Sequence, residues 1–292
     1  MEVMGKRTVV FALSAAAFIS QVCGQETLYV ATGSKGANGV LYTVNPATAA
    51  FSMVGPITAS TGAIGLTGLA FDSLNGVLYG VTGFESPNSP RTLVTINPAT
   101  GAATIIGAVT GQFGSVGLTD LSFRADGTLF GIDPSTLYTV NLGTAAATSI
   151  GSTGENPPGG GLAFNSLGTL YSAGIATGTV DTLNTSTGAR TVGPTMTNAP
   201  HAGTLGAMMA LGFSSANILY APNSAREQNG ATVTTVDLVT INTSTGLVTG
   251  IGSLPGNVDA LAFGTAVPEP SSIALLGVGV AIATFLKRRA RR

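Results

Sequence analysis

The sequence predicts an all-β chain folded as a propeller of about five four-stranded blades. Three observations predict it. A repeat recurs at intervals of 41 to 52 residues, two short signatures appear once in each repeat, and tight-turn residues sit at fixed places between alternating apolar segments. Composition sets the bounds. The chain has 292 residues and is 44% hydrophobic, enough to form a core, but only 9% charged, against roughly 25% in ordinary soluble domains.

The first signature marks the inner strand of each blade. It reads LAF at 69–71, LSF at 121–123, LAF at 162–164, LGF at 211–213 and LAF at 261–263. A glycine and then a Leu-Tyr or Leu-Phe pair follow in most copies, at Leu78 and Tyr79, Leu129 and Phe130, Leu170 and Tyr171, and Leu219 and Tyr220. This pair opens the second strand.

The second signature joins strands three and four. It reads TVNPATAA at 43–50, TINPATGA at 95–102, TVNLGTAA at 139–146, TLNTSTGA at 182–189 and TINTSTGL at 240–247. Asn opens a tight turn by bonding its own backbone, Pro presets φ at the next position, and Gly accepts a positive φ. Apolar residues alternate on both sides, which makes each copy a hairpin. One unit is therefore LAF, GVLYGVT, TLVTIN and AATIIG, four antiparallel strands in one blade. A sandwich or a β-helix is the competing repetitive architecture, but β-helices repeat at shorter periods.

The phase of the repeat predicts how the ring closes. The body starts mid-unit with TLYV at 27–30 and ends just after the LAF at 261–263. The last inner strand is thus expected to complete the first blade beside residues 28–31, which hides the sheet edges a β protein must protect. Five blades is the direct count, and the long 194–236 region leaves room for a degenerate sixth. The blades resemble NHL-like and lactonase-like propeller repeats in period and strand pattern, and no catalytic residue is carried over from them.

Both ends of the chain read as addresses. Residues 1–24 have a basic start (Lys6, Arg7), an apolar run over 8–19 and the tripeptide Val22-Cys23-Gly24. That is the layout of a secretory signal peptide. An N-terminal anchor would need a longer apolar run, and a lipidated Cys23 would need a small residue where Val22 stands. Cleavage after Gly24 removes the chain's one cysteine, so the mature body, 25–265, is expected to have no disulfide and no thiol chemistry.

The other end, 266–292, carries Val267-Pro268-Glu269-Pro270, an apolar stretch over 271–286 read as a short transmembrane helix, and the basic cluster Lys287, Arg288, Arg289, Arg291 and Arg292. The helix would span about 24 Å, and the basic cluster stops transfer on the cytoplasmic side. These three parts, in this order, resemble the PEP-CTERM sorting signal of Gram-negative bacteria. The resemblance implies recognition by an exosortase, a membrane-embedded cysteine transpeptidase. It would cut near Val267, Pro268, Glu269 and Pro270 and release the body to the cell surface or extracellular matrix. It also implies an exopolysaccharide setting, with exopolysaccharide as a candidate partner, and an exosortase as processing enzyme of a transiently anchored precursor; the N-terminal layout adds signal peptidase.

Charge and residue inventory narrow the function. The body keeps five basic residues against eleven acids, a formal charge of −6, which excludes a nucleic-acid footprint. Function is expected on one propeller face, in the loops over 56–66, 108–118, 152–161, 194–210 and 253–258 and over 83–92, 132–136, 173–179 and 221–235. Glu85, Arg91, Glu155, His201, Arg226 and Glu227 fall in these loops, with Asp120 and Asp259 at the entrance to inner strands, near the channel mouth. The candidate ligand face is therefore Asp120, Asp259, His201, Arg91 and Arg226. No catalytic residue, metal or cofactor is assigned. One imidazole rules out a multi-histidine zinc site, and acids enter two of five inner strands in different registers. Asp72 and the pair Asp126-Gly127 read as hairpin turns, and Arg226 with Glu227 as a solvated pair. There is no Trp, and the six Tyr fall mostly in the strand motifs, leaving Phe84 and Phe113 as the aromatics of the face loops. The expected function is a noncatalytic structural or adhesive protein of the envelope or matrix. The alternatives are a carbohydrate- or protein-binding propeller and a metal-dependent hydrolase or lactonase.

Overall fold

The computed structural model describes residues 26–33, 36, 38–154, 160–174, 178–198, 205–224 and 236–265. The segments read as signal peptide (1–24) and transmembrane helix (271–286) lie outside them, and no helix among the described residues is long and apolar enough to cross a membrane.

The strands form five antiparallel blades. Blade 1 pairs Val258–Thr265 with Glu26–Thr32, then Val40–Val44, then Phe51–Pro56. Blade 2 runs Leu66–Asp72, Val77–Thr82, Thr92–Ile96, Ala103–Ala108; blade 3 runs Asp120–Phe123, Leu129–Ile132, Thr136–Val140, Ala147–Ser152. Blade 4 runs Gly160–Phe164, Leu170–Gly174, Val180–Leu183, Arg190–Thr191. In blade 5 the inner strand is broken into Ala207–Met208 and Gly212–Phe213, followed by Leu219–Ser224, Val236–Ile241 and Leu247–Leu254. The inner strands touch their neighbours in cyclic order, so the ring closes on five blades. Within 194–236, where a sixth blade had room, the described strands Thr197–Asn198, Ala207–Met208, Gly212–Phe213 and Leu219–Ser224 all join the sheet of blade 5.

Closure follows the sequence phase. Leu28 pairs with Phe263, Val30 with Leu261 and Ala31 with Ala260, so the last strand of the ring completes the first blade.

The Asn signature makes the same turn five times. In the first copy the Asn45 side-chain oxygen accepts the Ala47 N–H at 2.9 Å, and the Ala49 N–H returns to the Asn45 carbonyl at 2.8 Å. The residue closing each turn has a positive φ: Ala49, Gly101, Ala145, Gly188 and Gly246. The turns also have a tertiary task. The carbonyl of the Thr three residues after Asn lies over a glycine in the preceding blade's outer strand: Thr100 over Gly55, Thr144 over Gly107, Thr187 over Gly151 and Thr48 over Gly252. In blades 1, 2, 3 and 5 that glycine borders a bulge in the outer strand.

Gly246 feels both constraints. Its φ is +74°, and a Cβ there would lie 2.1 Å from the Thr195 carbonyl oxygen. Gly246→Ala is expected to cost about 2–4 kcal/mol, from left-handed strain plus backbone overpacking. Gly76→Ala, at φ +69° with nothing within 4 Å, carries the strain alone, about 1–2 kcal/mol. Thermal unfolding of the two variants checks the difference; equal losses would remove the packing term.

The core lies between blades. Each of five apolar clusters straddles two neighbours, as where Tyr29 and Leu41 of blade 1 meet Leu69, Leu78 and Val94 of blade 2. The same straddling holds around the ring. The Phe of LAF, on the inner strand, and the aromatic of the Leu-Tyr or Leu-Phe pair, on the second, form the seams. Tyr79 meets Phe123, Phe130 meets Phe164, Tyr171 meets Phe213 and Tyr220 meets Phe263, with ring centroids 5.1–5.4 Å apart. Such pairs add about 0.5–1.5 kcal/mol each beyond buried area.

Candidate functional site

Each LAF-type signature is preceded by a buried residue of the inner strand or its approach: Gly68, Asp120, Gly161, Ala210 and Ala260. Four are small, and this lets the strands close on the axis. A Cβ on Gly68 would lie 2.7 Å from the Asp120 Cα, and one on Gly161 only 2.5 Å from the Ala210 carbonyl carbon. Asp120 is fully buried at this level, at the centre of the ring rather than at its mouth, where the sequence reading put it. Its Oδ2 accepts the Leu162 N–H at 2.7 Å and the Leu211 N–H at 3.2 Å, and its Oδ1 accepts the Leu121 N–H at 2.9 Å. Burial pushes its pKa well above the ordinary carboxylate range, against the downward pull of N–H donors from Leu162, Leu121, Leu211 and Leu69. One carboxylate thus binds the inner strands of four blades.

Two described arginines are also held internally. Arg190 pairs with the buried Asp181 at 3.1 Å, whose other oxygen accepts the Gly193 N–H. Arg124 pairs with Asp126 at 2.6 Å, 5.2 Å above the Phe130 ring. That ion pair holds the exposed Asp126 carboxyl well below its usual range. Asp72 bonds the N–H groups of Leu74 and Asn75, so Asp72 and Asp126 are the turn residues expected.

Arg91 is placed differently. It forms no ion pair among the described residues and lines an open cleft of about 460 Å³ at the rim between blades 2 and 3. Phe84, from the loop between the second and third strands of blade 2, shares the cleft with Phe113, from the hairpin leading into blade 3, and with Asp133 and Tyr138 of blade 3. Gly117 packs beside both: a Cβ there would be 3.5 Å from Arg91 Nε and 3.8 Å from Phe84 Cβ. Phe84 is 64% exposed and Phe113 97% exposed.

The scaffold beneath is stiff. Arg91 has φ +51°, its N–H donates to the Gly83 carbonyl, and its own carbonyl accepts the Val109 N–H at 2.7 Å. Asn88 ties the same loop to the Ala63 carbonyl at 2.9 Å. Across the cleft Asp133 accepts the Ser135 and Thr136 N–H groups at 2.9 and 2.8 Å, and the Tyr138 hydroxyl at 2.9 Å. Burial, followed by the Asp133 hydrogen bond and charge, raises the Tyr138 pKa, so the phenol keeps its proton and its O–H donates a hydrogen bond to Asp133.

Of the face residues singled out from sequence, Arg91 joins Phe84 and Phe113. Asp120 is withdrawn into the axis, and Asp259 sits half-buried at the irregular start of the closing strand. His201, Arg226, Glu227 and Glu155 lie outside the described residues, as do Val267–Pro270 and Lys287–Arg292. The sequence reading missed Asp133 and counted Tyr138 among strand-core tyrosines. The signal was Asp-Pro-Ser-Thr ahead of a tyrosine five residues on, an Asx turn that fixes both partners. Among the described residues no group of three His, Cys, Asp or Glu side chains could hold a metal ion.

Fold and termini define a closed five-bladed propeller whose chain runs on past its closing strand. That continuation, residues 266–292, matches the PEP-CTERM protein-sorting motif, which implies export, a membrane-anchored precursor and processing by an exosortase. No curated protein matches the chain. Among solved structures, a chain of the nidogen/laminin complex superposes with a TM-score of 0.51 at 12% identity, covering 82% of this chain and 98% of that one. This likeness concerns the fold. A symmetrical protein from a study of de novo evolutionary emergence (16% identity, TM-score 0.47) covers 81% of this chain and 97% of its own. The hydrazine synthase of Kuenenia stuttgartiensis (14% identity, TM-score 0.39) covers 63% of this chain and 47% of its own.

Proposed function

We propose that this protein is a noncatalytic adhesive or structural propeller of the bacterial envelope or extracellular matrix, held out from its attachment point by the closed ring. The observation that carries this reading is the shared exit of the two chain ends. Glu26 pairs with Thr265, and the Glu26 carboxylate accepts the Ser215 N–H at 2.6 Å and the Ser215 hydroxyl at 3.0 Å. Both ends therefore leave at the face of the tight Asn turns, within a few residues of the expected signal-peptide cut and of the sorting motif. The described loops around Phe84, Phe113 and Asp133, with the Arg91 cleft, lie on the opposite face, away from the end of the closing strand at Thr265. The noncatalytic part is supported by Asp120, whose oxygens are engaged by backbone N–H groups.

Intact mass by cell fraction tests the reading. The expected species, from the medium or outer surface, starts at Gln25 and ends near Pro268–Pro270. A species keeping residues 273–292 in the inner membrane would overturn display after sorting. Metal-dependent turnover of a lactone or ester by the processed protein would overturn the noncatalytic assignment.

A further inference from the structure

We infer that the cleft between blades 2 and 3 is a binding site for a carboxylate-bearing glycan, with Arg91 taking the carboxylate and Phe113 and Phe84 stacking on the sugar faces. The inference rests on the display reading above and assigns its loop face a ligand class. Three independent features carry it. Phe113 and Phe84 stand exposed at the cleft while the rings of the blade seams are buried or half-buried, and an aromatic face in water suits the apolar face of a pyranose. Arg91 is the one described arginine with no carboxylate partner in the fold, and its planar fork matches a carboxylate in a bidentate geometry. Of the polar groups around them, Gln112 and Ser115 are neutral and suit sugar hydroxyls, and the acid of the lining, Asp133, has its carboxylate engaged by the Ser135 and Thr136 N–H groups and the Tyr138 hydroxyl.

Charge separates this from general polyanion attraction. The body has a formal charge of −6, so an acidic polymer gains nothing from the surface at large and must be held at short range by this one cation. The braced Arg91 loop means that little backbone ordering is lost on binding.

The probe is polygalacturonate, with neutral dextran and poly-glutamate as comparisons, measured by affinity electrophoresis and calorimetry on the full-length chain in detergent. The expected result is binding to polygalacturonate and not to dextran, weakened about tenfold or more by Phe113→Ala or Arg91→Gln, with an unchanged unfolding midpoint. Phe113 is almost wholly exposed, so its loss cannot be mistaken for unfolding; Arg91→Lys should recover part of the affinity. No binding, equal binding to dextran, or affinity unmoved by both substitutions would overturn the site. Equal binding of poly-glutamate would reassign it to an acidic peptide. Surface recovery of the Phe113→Ala protein separates the two levels: failure of glycan binding with normal display removes the site alone, whereas absence of the wild-type protein from the surface removes the display reading.

Discussion

Asp120→Ala is expected to lower the midpoint of thermal unfolding by about 6–20 °C. The carboxylate accepts N–H groups from Leu121, Leu162 and Leu211, and each buried donor left unpaired costs about 1–3 kcal/mol. Three such donors give a loss of about 3–5 kcal/mol after partial relief of the buried charge, and a body of this size shifts by about 2–4 °C per kcal/mol. Asp120→Asn separates charge from hydrogen bonding. The substitution turns one acceptor into a donor facing other donors, and removes the titration.

The sign of the pH effect follows from the raised pKa of Asp120. The folded ring holds this proton more tightly than the unfolded chain does. The contribution is therefore full below the unfolded carboxylate value of about 3.9, and is lost as pH rises through the raised native value. Unfolding midpoints across a pH series should show this fall in the wild type and not in Asp120→Asn. Parallel curves would mean that Asp120 is not the group responsible.

A chain ending at Asn257 is expected to lose the fold, and one ending at Thr265 to keep it. The difference is the strand Val258–Thr265, which supplies seven paired positions to blade 1. It buries Ala260, Leu261 and Ala262 and covers Leu28 and Val30. Each large apolar side chain so exposed costs about 1.5–3 kcal/mol, and the sum is comparable to a domain's whole net stability of about 5–15 kcal/mol. The strand Glu26–Thr32 would also become an open edge, a template for aggregation. Circular dichroism and size-exclusion chromatography distinguish the outcomes; a monomeric, cooperatively unfolding chain ending at Asn257 would show that the ring does not depend on this strand. An exosortase cut near Pro268–Pro270 leaves the closing strand whole.

Much of the fold was legible because its determinants are local. Asn45 and its four counterparts declare their turns through bonds that span two to five residues, and Leu-Ala-Phe alternation marks a strand with two buried faces. Closure was legible from phase, since an unpaired first strand and an unpaired last one predict each other. The site was less so. Arg91, Phe84 and Phe113 were each visible as loop residues, but their convergence with Tyr138 depends on two blades meeting side by side, which no local pattern encodes. Asp120 misled for a related reason: an acid before an inner strand reads the same whether the channel there is open or closed.

The sequence by itself determined the repeat, the four-stranded unit, the closing strand and the sorting motif at 266–292, because each is written in spacings along one stretch of chain. The tertiary structure decided three things. It set five blades rather than six, buried Asp120 at the axis, and brought Arg91 with its aromatic neighbours into one cleft. The physical reason is common to all three. They depend on how closely neighbouring blades approach, and that is set by glycines such as Gly68 and Gly151 meeting backbone from another blade, 36 to 52 residues away in sequence.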